Sequence, residues 1–109
     1  RHVFNQYTLR VGGGARDAVM EYMRAEGVGC AVYYPIPLHV QKCFEYLGYK
    51  AADFPESQRA AAEVLSLPIF AELTGEQITR VATVLADAAN AATTLKFPST
   101  EAESRRKAA

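Results

Sequence analysis

The stretch from Gly27 to His39 concentrates side chains that suit ligand recognition. A short apolar run ends in Tyr33 and Tyr34, and two prolines then lead to His39. Phenol hydroxyls and an imidazole form directed hydrogen bonds without carrying a charge, and an apolar edge beside them can bury part of a ligand. This spacing predicts a binding edge, and it does not by itself name a reaction.

Each polar candidate has an ordinary structural alternative. His2 begins the first predicted strand, where it contacts a substrate or is simply an exposed terminal residue. His39 follows a proline turn, and either donates to a phosphate or carboxylate or lies on the surface. Tyr33 and Tyr34 should point to opposite faces of a strand, one into the core and the other towards a ligand or partner. Asn5 lies inside a strand, and the backbone of a neighbouring strand is its ordinary hydrogen-bond partner.

The chain carries no recognisable catalytic set. It has no GxSxG elbow, no HExxH motif and no cysteine plainly paired with a histidine. A lysine that forms a Schiff base needs a desolvated pocket, whereas all four lysines have polar neighbours (Lys42, Lys50, Lys96 and Lys107). We therefore expect the chain alone to be inactive.

The two cysteines, Cys30 and Cys43, do not form a CxxC pair and are expected to be reduced thiols. A metal site that combines them with the two histidines lacks any known ligand spacing, so no metal is expected.

Composition narrows the class of protein. The 109 residues suffice for one domain, and half of them are hydrophobic, which predicts a folded chain. Twelve basic residues balance twelve acidic ones, so nothing favours a nucleic-acid or membrane partner. No apolar run approaches the roughly 20 residues of a membrane span, and the amino end does not resemble a signal peptide. We expect a cytoplasmic protein.

The first half of the chain predicts a strand, a helix and a second strand. Residues 2–11 alternate as a strand, with Tyr7 and Leu9 on one side and Thr8 on the other. A helix is predicted for residues 15–26, ended by Gly27, and a strand for residues 30–34. This order permits a βαβ crossover, although an intervening strand from elsewhere in the chain is also open. Because the chain starts at Arg1 inside a strand, we expect a carboxy-terminal fragment.

The second half predicts mostly helix. A short amphipathic stretch after Pro37 ends at Gly48, and residues 49–54 read as a loop. Pro55 suits the first turn of a helix whose buried side includes Ala61, Val64 and Leu65. Residues 67–70 contain a proline and predict at most a short edge strand.

A last helix should open at Thr74, which has capping-box spacing to Gln77. Its predicted inward stripe is Ile78, Val81, Leu85, Ala88 and Ala92. The order β-α-β-(α)-α-β-α predicts an α/β (α+β two-layer) domain over residues 1–94, with a short sheet packed by helices and a polar, solvated tail over residues 95–109.

Three blocks in the same order resemble the carboxy-terminal region of the DegT/DnrJ/EryC1/StrS aminotransferases. The first runs from His2 to Val11, and the second from Gly27 to His39. The third comprises FEYLGY, DFP and VLSLPIFAELT within residues 44–74. Together they cover about residues 2–92, which makes the resemblance specific although each block alone would be weak.

The resemblance implies the small carboxy-terminal domain of a fold type I aminotransferase. Such a parent uses pyridoxal phosphate to transfer an amino group, usually from glutamate, to a nucleotide-linked keto-sugar, and is expected to be a homodimer. The cofactor lysine and its aspartate partner belong to a large domain that this chain lacks, so the chain is expected to bind no cofactor itself. By position in the motifs, His2, Asn5, Tyr33, Tyr34 and His39 are expected on the substrate side.

Two alternatives stay open at this stage. One is a free-standing α/β binding module without catalysis. The other is a relative that uses the same fold as a sugar dehydratase or a regulator. The aminotransferase hypothesis further predicts an exposed apolar face where the large domain would pack.

Overall fold

The computed structural model describes residues 4–96, which form two strands and three α-helices. The strands are β1, Tyr7–Arg10, and β2, Val64–Leu67. The helices are α1, Arg16–Ala25, α2, Pro55–Glu63, and α3, Gly75–Lys96. Between α1 and α2 the chain passes through three 3₁₀ helices, Leu38–Val40, Lys42–Leu47 and Ala51–Asp53. His2 and residues 97–109 of the predicted tail lie outside the described residues.

Strand β2 lies at the centre of the sheet. On one side it pairs antiparallel with β1, with Tyr7 opposite Leu67. On the other side Ala31 and Ser66 form an antiparallel bridge, in which the Ala31 N–H donates to Ser66 O (3.1 Å) and the Ser66 N–H to Ala31 O (2.8 Å). Of the two arrangements left open by the sequence, the structure has the intervening strand.

The predicted strand over residues 30–34 is wrong beyond Ala31. Pro35 and Pro37 lack a backbone N–H, and a proline also restricts the residue before it, so an extended ladder cannot continue here. The predicted strand over residues 2–11 is likewise shorter in the described part, where it covers Tyr7–Arg10.

The strand expected at most over residues 67–70 lies earlier in the chain, and it shares only Leu67 with the predicted range. Helix α2 ends at Glu63, and Val64 is already extended (φ −72°, ψ 141°), so Val64 and Leu65 belong to a strand and not to the helix. The strand stops before Pro68, which has no N–H to donate to a ladder. The predicted loop over residues 49–54 contains a 3₁₀ turn, Ala51–Asp53.

The hydrophobic core lies between one face of the sheet and helices α1 and α3. Its fully buried side chains are Val19 and Met23 from α1, Leu65 from β2 and Val84 from α3. Leu9 from β1 packs against this cluster. The α/β class and the packing of helices on a short sheet are therefore as predicted.

The carboxyl end of α1 forms a hydrogen-bonded cap around Gly27. The Val28 N–H donates to Met23 O (2.9 Å) and the Gly27 N–H to Arg24 O (3.0 Å), which is the Schellman pattern. Gly27 has a φ of 75°, a left-handed conformation that glycine adopts without steric cost. Val28 is buried against the same core as Met23, so the cap also fixes where the chain re-enters the sheet.

Helix α3 begins as predicted, and its inward stripe is confirmed at Ala88 and Ala92, which are buried, and at Val81 and Leu85, which pack against the core. The Thr74 N–H donates to Gln77 Oε1 (3.0 Å) and the Gln77 N–H to Thr74 Oγ1 (3.2 Å), so the capping box is confirmed. Ile78 is 53% exposed, contrary to the predicted stripe, whereas Val84 is 1% exposed. Residues 84, 88 and 92 repeat every fourth position on the side that packs on α1.

Replacing Val84 with alanine should lower the free energy of unfolding by about 2 kcal/mol, because two buried methyl groups are lost and a cavity remains. The control Ile78→Ala should change it by less than about 0.5 kcal/mol, since that side chain is largely in water. Urea unfolding followed by circular dichroism measures both. Equal losses would contradict the observed orientation of α3.

Replacing Gly27 with alanine should lower the free energy of unfolding by about 1–2 kcal/mol, because a Cβ is strained at this positive φ. Gly12 provides the matched control: its φ is not in that region, and nothing lies within 4 Å of an added Cβ. Gly12→Ala should leave stability unchanged or raise it slightly. Thermal unfolding of the two variants side by side distinguishes them.

Candidate functional site

An open cleft of about 480 Å³ lies against the face of the sheet that turns away from α1 and α3. Side chains alternate across a strand, so Thr8 and Ser66 lie on the face opposite to Leu9 and Leu65. We call this concavity the tyrosine cleft. Its walls come from the segment before β1, the segment after Ala31, helix α2 and β2: Gln6, Thr8, Tyr33, Tyr34, Ile36, Pro37, Leu38, His39, Phe54, Ser57, Ala60, Ala61, Val64 and Ser66.

Tyr33 and Tyr34 both line the tyrosine cleft. They are 57% and 68% exposed, so the prediction that one of them is buried in the core is wrong. The alternation of side chains that placed them on opposite faces holds only within a strand, and the strand-like pairing ends at Ala31. The structure thus brings both hydroxyls to one surface.

His39 is held at the mouth of the tyrosine cleft by two contacts. Its Nε2 lies 3.4 Å from Ala51 O, and its ring centroid lies 4.8 Å from that of Phe54. A carbonyl oxygen only accepts, so this bond needs the proton on Nε2 and leaves Nδ1 as an acceptor in the neutral ring. Tyr49 supports Phe54 from its other side in an edge-to-face contact at 5.3 Å.

The floor of the cleft carries a pair of hydroxyls that the sequence analysis missed. Thr8 Oγ1 and Ser66 Oγ lie 2.8 Å apart, and Ser66 is only 6% exposed. The available signal was Ser66 between Leu65 and Leu67, which is the alternation of a strand with one polar face. It was overlooked because Val64 and Leu65 had been assigned to the preceding helix.

Asn5 does not line the tyrosine cleft. It lines a neighbouring shallow cavity of about 320 Å³ with Cys30 and Phe70, and Tyr33 and Gln6 border both concavities. His2 lies outside the described residues, so its predicted substrate contact stays a prediction. Of the five predicted residues, the structure therefore brings Tyr33, Tyr34 and His39 together and places Asn5 beside them.

The tyrosine cleft has an apolar, uncharged lining. None of its lining residues is a lysine, an arginine or a carboxylate, and His39 is its one titratable group besides the tyrosines. Such a surface suits a neutral group with both apolar faces and hydroxyls, for example a sugar ring. A phosphate would need cations from outside this set of residues.

Cys30 is partly buried beside α1 and is not a candidate nucleophile. Burial raises the pKa of its thiol, and the nearby Arg24 guanidinium offsets this only in part. Cys43 is exposed.

Within residues 4–96, no group of three His, Cys, Asp or Glu side chains is placed to hold a metal ion. No helix in the described part of the chain has the length and apolar character that crossing a bilayer requires.

Comparison with known proteins identifies the family. The sequence model of the DegT/DnrJ/EryC1/StrS aminotransferase family matches residues 1–86. The chain belongs to this family.

Curated relatives include enzymes and a regulator. A pleiotropic regulatory protein of Geobacillus stearothermophilus is 49% identical over 76 residues, which is 70% of this chain and 20% of the relative. The UDP-N-acetyl-3-dehydro-alpha-D-glucosamine 3-aminotransferase of Acidithiobacillus ferrooxidans is 48% identical over 84 residues, 77% of this chain and 22% of the enzyme. The chain therefore spans about a fifth of the length of these relatives.

Solved structures confirm the fold. DesV of Streptomyces venezuelae, in complex with a ketimine intermediate, superposes with a TM-score of 0.75 at 27% identity, over 82% of this chain and 24% of DesV. A putative sugar aminotransferase of Streptococcus pneumoniae in its PMP form superposes with a TM-score of 0.74 at 20% identity, over 84% of this chain and 24% of that protein. The expected fold, that of the small domain of a fold type I aminotransferase, is thus confirmed.

The tyrosine cleft does not fit a pyridoxal phosphate site. Lys42 and Lys50 lie exposed on 3₁₀ turns and not in a pocket that would desolvate an ammonium group. The tyrosine cleft has no lysine for a Schiff base and no carboxylate for the pyridine nitrogen. We therefore assign this surface no chemistry that runs through the cofactor.

Alkylation of the native chain with iodoacetamide should modify Cys43 well before Cys30, because only Cys43 is exposed. Thiolate is the reactive form, and the raised pKa of Cys30 leaves little of it at neutral pH. The rate at Cys30 should continue to rise at pH values where an ordinary thiol is fully ionised. Peptide mass spectrometry over a pH series measures both rates, and faster labelling of Cys30 at pH 7 would contradict its described burial.

Proposed function

We propose that this chain is the small domain of a pyridoxal-phosphate-dependent sugar aminotransferase. The parent protein transfers an amino group, with glutamate as the donor, to a nucleotide-linked keto-sugar. In this proposal the parent is a cytoplasmic homodimer, its cofactor lies in the polypeptide that the relatives have beyond this match, and residues 4–96 contribute one side of the sugar site.

The tyrosine cleft is the observation that carries this proposal. Two tyrosines, one histidine and the Thr8–Ser66 hydroxyl pair line a concavity that is largely apolar, has Gln6 and Ser57 as its other polar side chains, and contains no lysine, arginine or carboxylate. Neutral donors and acceptors beside apolar surface match a sugar ring, which has hydroxyls at its edge and C–H groups on its faces. The name of the Acidithiobacillus relative, an aminotransferase for a UDP-linked sugar, supports the same class of substrate.

An exposed apolar groove supports the role as one domain of a larger protein. The groove has a volume of about 480 Å³ and lies between the ends of the strands and the first turns of α3. Phe4, Tyr7 and Ile78 are each 46–53% exposed there. Apolar surface of this kind marks a contact with further polypeptide, and we assign it to the packing of the large domain.

A regulatory role is the second candidate, because the Geobacillus relative that is 49% identical to this chain is named a pleiotropic regulatory protein. The coding sequence upstream of Arg1 tests the aminotransferase proposal against a sugar dehydratase and a free-standing binding module. A lysine after a strand, together with an aspartate for the pyridine nitrogen, supports transamination, whereas a histidine at the lysine position favours a sugar dehydratase. A start codon directly before Arg1 would overturn the aminotransferase proposal and leave a binding module.

In the parent enzyme, Tyr33→Phe and Tyr34→Phe should each raise the KM for the nucleotide-sugar by roughly three- to tenfold, the cost of one hydrogen bond. The KM for glutamate should not change. Steady-state kinetics in both substrates measure this difference.

Tyr46→Phe is the matched control, because Tyr46 is 80% exposed and is not among the residues that line the cleft. It should leave both KM values unchanged. If all three variants behave like the wild type, the tyrosine cleft is not the sugar site.

A further inference from the structure

Helix α2 and strand β2 are joined without a connecting residue. The helix ends at Glu63 and the strand begins at Val64. Ser57, Ala60 and Ala61 on α2, with Val64, line one wall of the tyrosine cleft. The direction in which α2 leaves the sheet therefore decides how far this wall lies from the tyrosines.

Arg16 bonds to the main chain on both sides of this junction. Its Nη1 donates to Ala61 O in the last turn of α2 (3.1 Å) and to Val64 O at the start of β2 (3.1 Å). Its Nε donates to Asp17 Oδ1 (2.5 Å), which orients the guanidinium, and its side chain is only 13% exposed. Carbonyls in the last turn of a helix lack intrahelical partners, and a cation is favourable there. One planar group thus spans the helix end and the strand start.

Strand β1 holds the same junction from the other side. Arg10 donates to Glu63 Oε2 from Nη2 (2.6 Å) and from Nε (3.0 Å), and the Val11 N–H donates to Glu63 O (2.8 Å). Arg10 is half exposed, so its ion pair is screened by water and contributes less than the shielded contacts of Arg16. Of the two arginines at the junction, Arg16 therefore makes the more shielded contacts.

We propose that Arg16 is a positioning residue for the sugar site, acting through α2. This inference rests on the proposed function. Without the two carbonyl bonds, α2 pivots about the junction and its wall shifts relative to Tyr33 and His39. A shifted wall weakens binding of the sugar, whereas a general loss of stability lowers the amount of active enzyme and hence the apparent kcat, leaving KM unchanged.

The test compares Arg16→Met with Arg80→Met in the parent enzyme. Arg80 is the comparison, since its Nη2 also donates to a main-chain carbonyl, Glu26 O (3.1 Å), and to a carboxylate, Glu26 Oε2 (3.0 Å). It is more exposed than Arg16, and neither of these bonds reaches α2 or β2. Arg16→Met should raise the KM for the nucleotide-sugar by fivefold or more and leave the KM for glutamate unchanged. Arg80→Met should change neither. A sugar KM for Arg16→Met within twofold of the wild type would overturn the inference.

Amide hydrogen exchange of the same variants gives a readout that does not depend on activity. Arg16→Met should speed exchange in peptides covering residues 58–66, and Arg80→Met should not. If the wild type shows no transamination, the proposed function fails. Hydrogen exchange alone then decides whether Arg16 holds the junction. Unchanged exchange in Arg16→Met would overturn that role as well. If Arg16→Met does not fold, Arg16→Lys replaces it. Lysine keeps the charge but loses the bond to Asp17, so smaller effects of the same sign are expected.

Discussion

The hydrogen bonding of β2 on both of its edges is the constraint on which the rest of this domain depends. Four residues pair with β1 on one side, and Ser66 exchanges two backbone bonds with Ala31 on the other. A strand in this position has no free edge at its middle, so its neighbours are fixed in register as well as in distance. The segment that carries Tyr33, Tyr34 and His39 is thereby tied to the sheet two residues before the first tyrosine.

The two faces of this small sheet serve different purposes. Leu65 faces α1 and α3 and is fully buried, which supplies the apolar burial that a domain of this size needs. Ser66 faces the opposite way, and its hydroxyl is satisfied by Thr8. A buried polar group with a partner costs little, so the cleft can be polar at its floor without weakening the core. The core and the floor of the tyrosine cleft therefore use alternate residues of the same strand.

Local signals were sufficient to predict the end of α1 and the start of α3, whereas the end of α2 was predicted too late. Gly27 ends α1 because it adopts a positive φ, and the capping box of Thr74 and Gln77 begins α3. Each signal consists of residues within a few positions of the helix end that it sets. The positions of Tyr33 and Tyr34 differ from the predicted ones because strand-like pairing ends at Ala31, before either tyrosine. Ser66 and Thr8, separated by 58 positions, meet only through the pairing of β1 with β2. No local pattern contains that information, so the floor of the cleft had to come from the structure.

The resemblance in sequence predicted five substrate-side residues, and the structure shows which of them share a concavity. Tyr33, Tyr34 and His39 were predicted as substrate contacts and do share one concavity. Asn5 borders the next cavity, and Phe54 enters the site because it packs on His39. Phe54 comes from the turn before α2, a stretch that offered no chemistry to a reader of the sequence.

The absence of any spacer between α2 and β2 leaves this point of the chain intolerant of changes in length. One residue inserted after Glu63 would slide β2 by about 3.3 Å and exchange its two faces. A leucine would then stand on the floor of the cleft, and Ser66 would enter the core without Thr8. The 3₁₀ turns between residues 38 and 53 carry no ladder register and no fully buried side chain. Insertions and deletions that preserve this fold should therefore accumulate in those turns and avoid the seam between Glu63 and Val64.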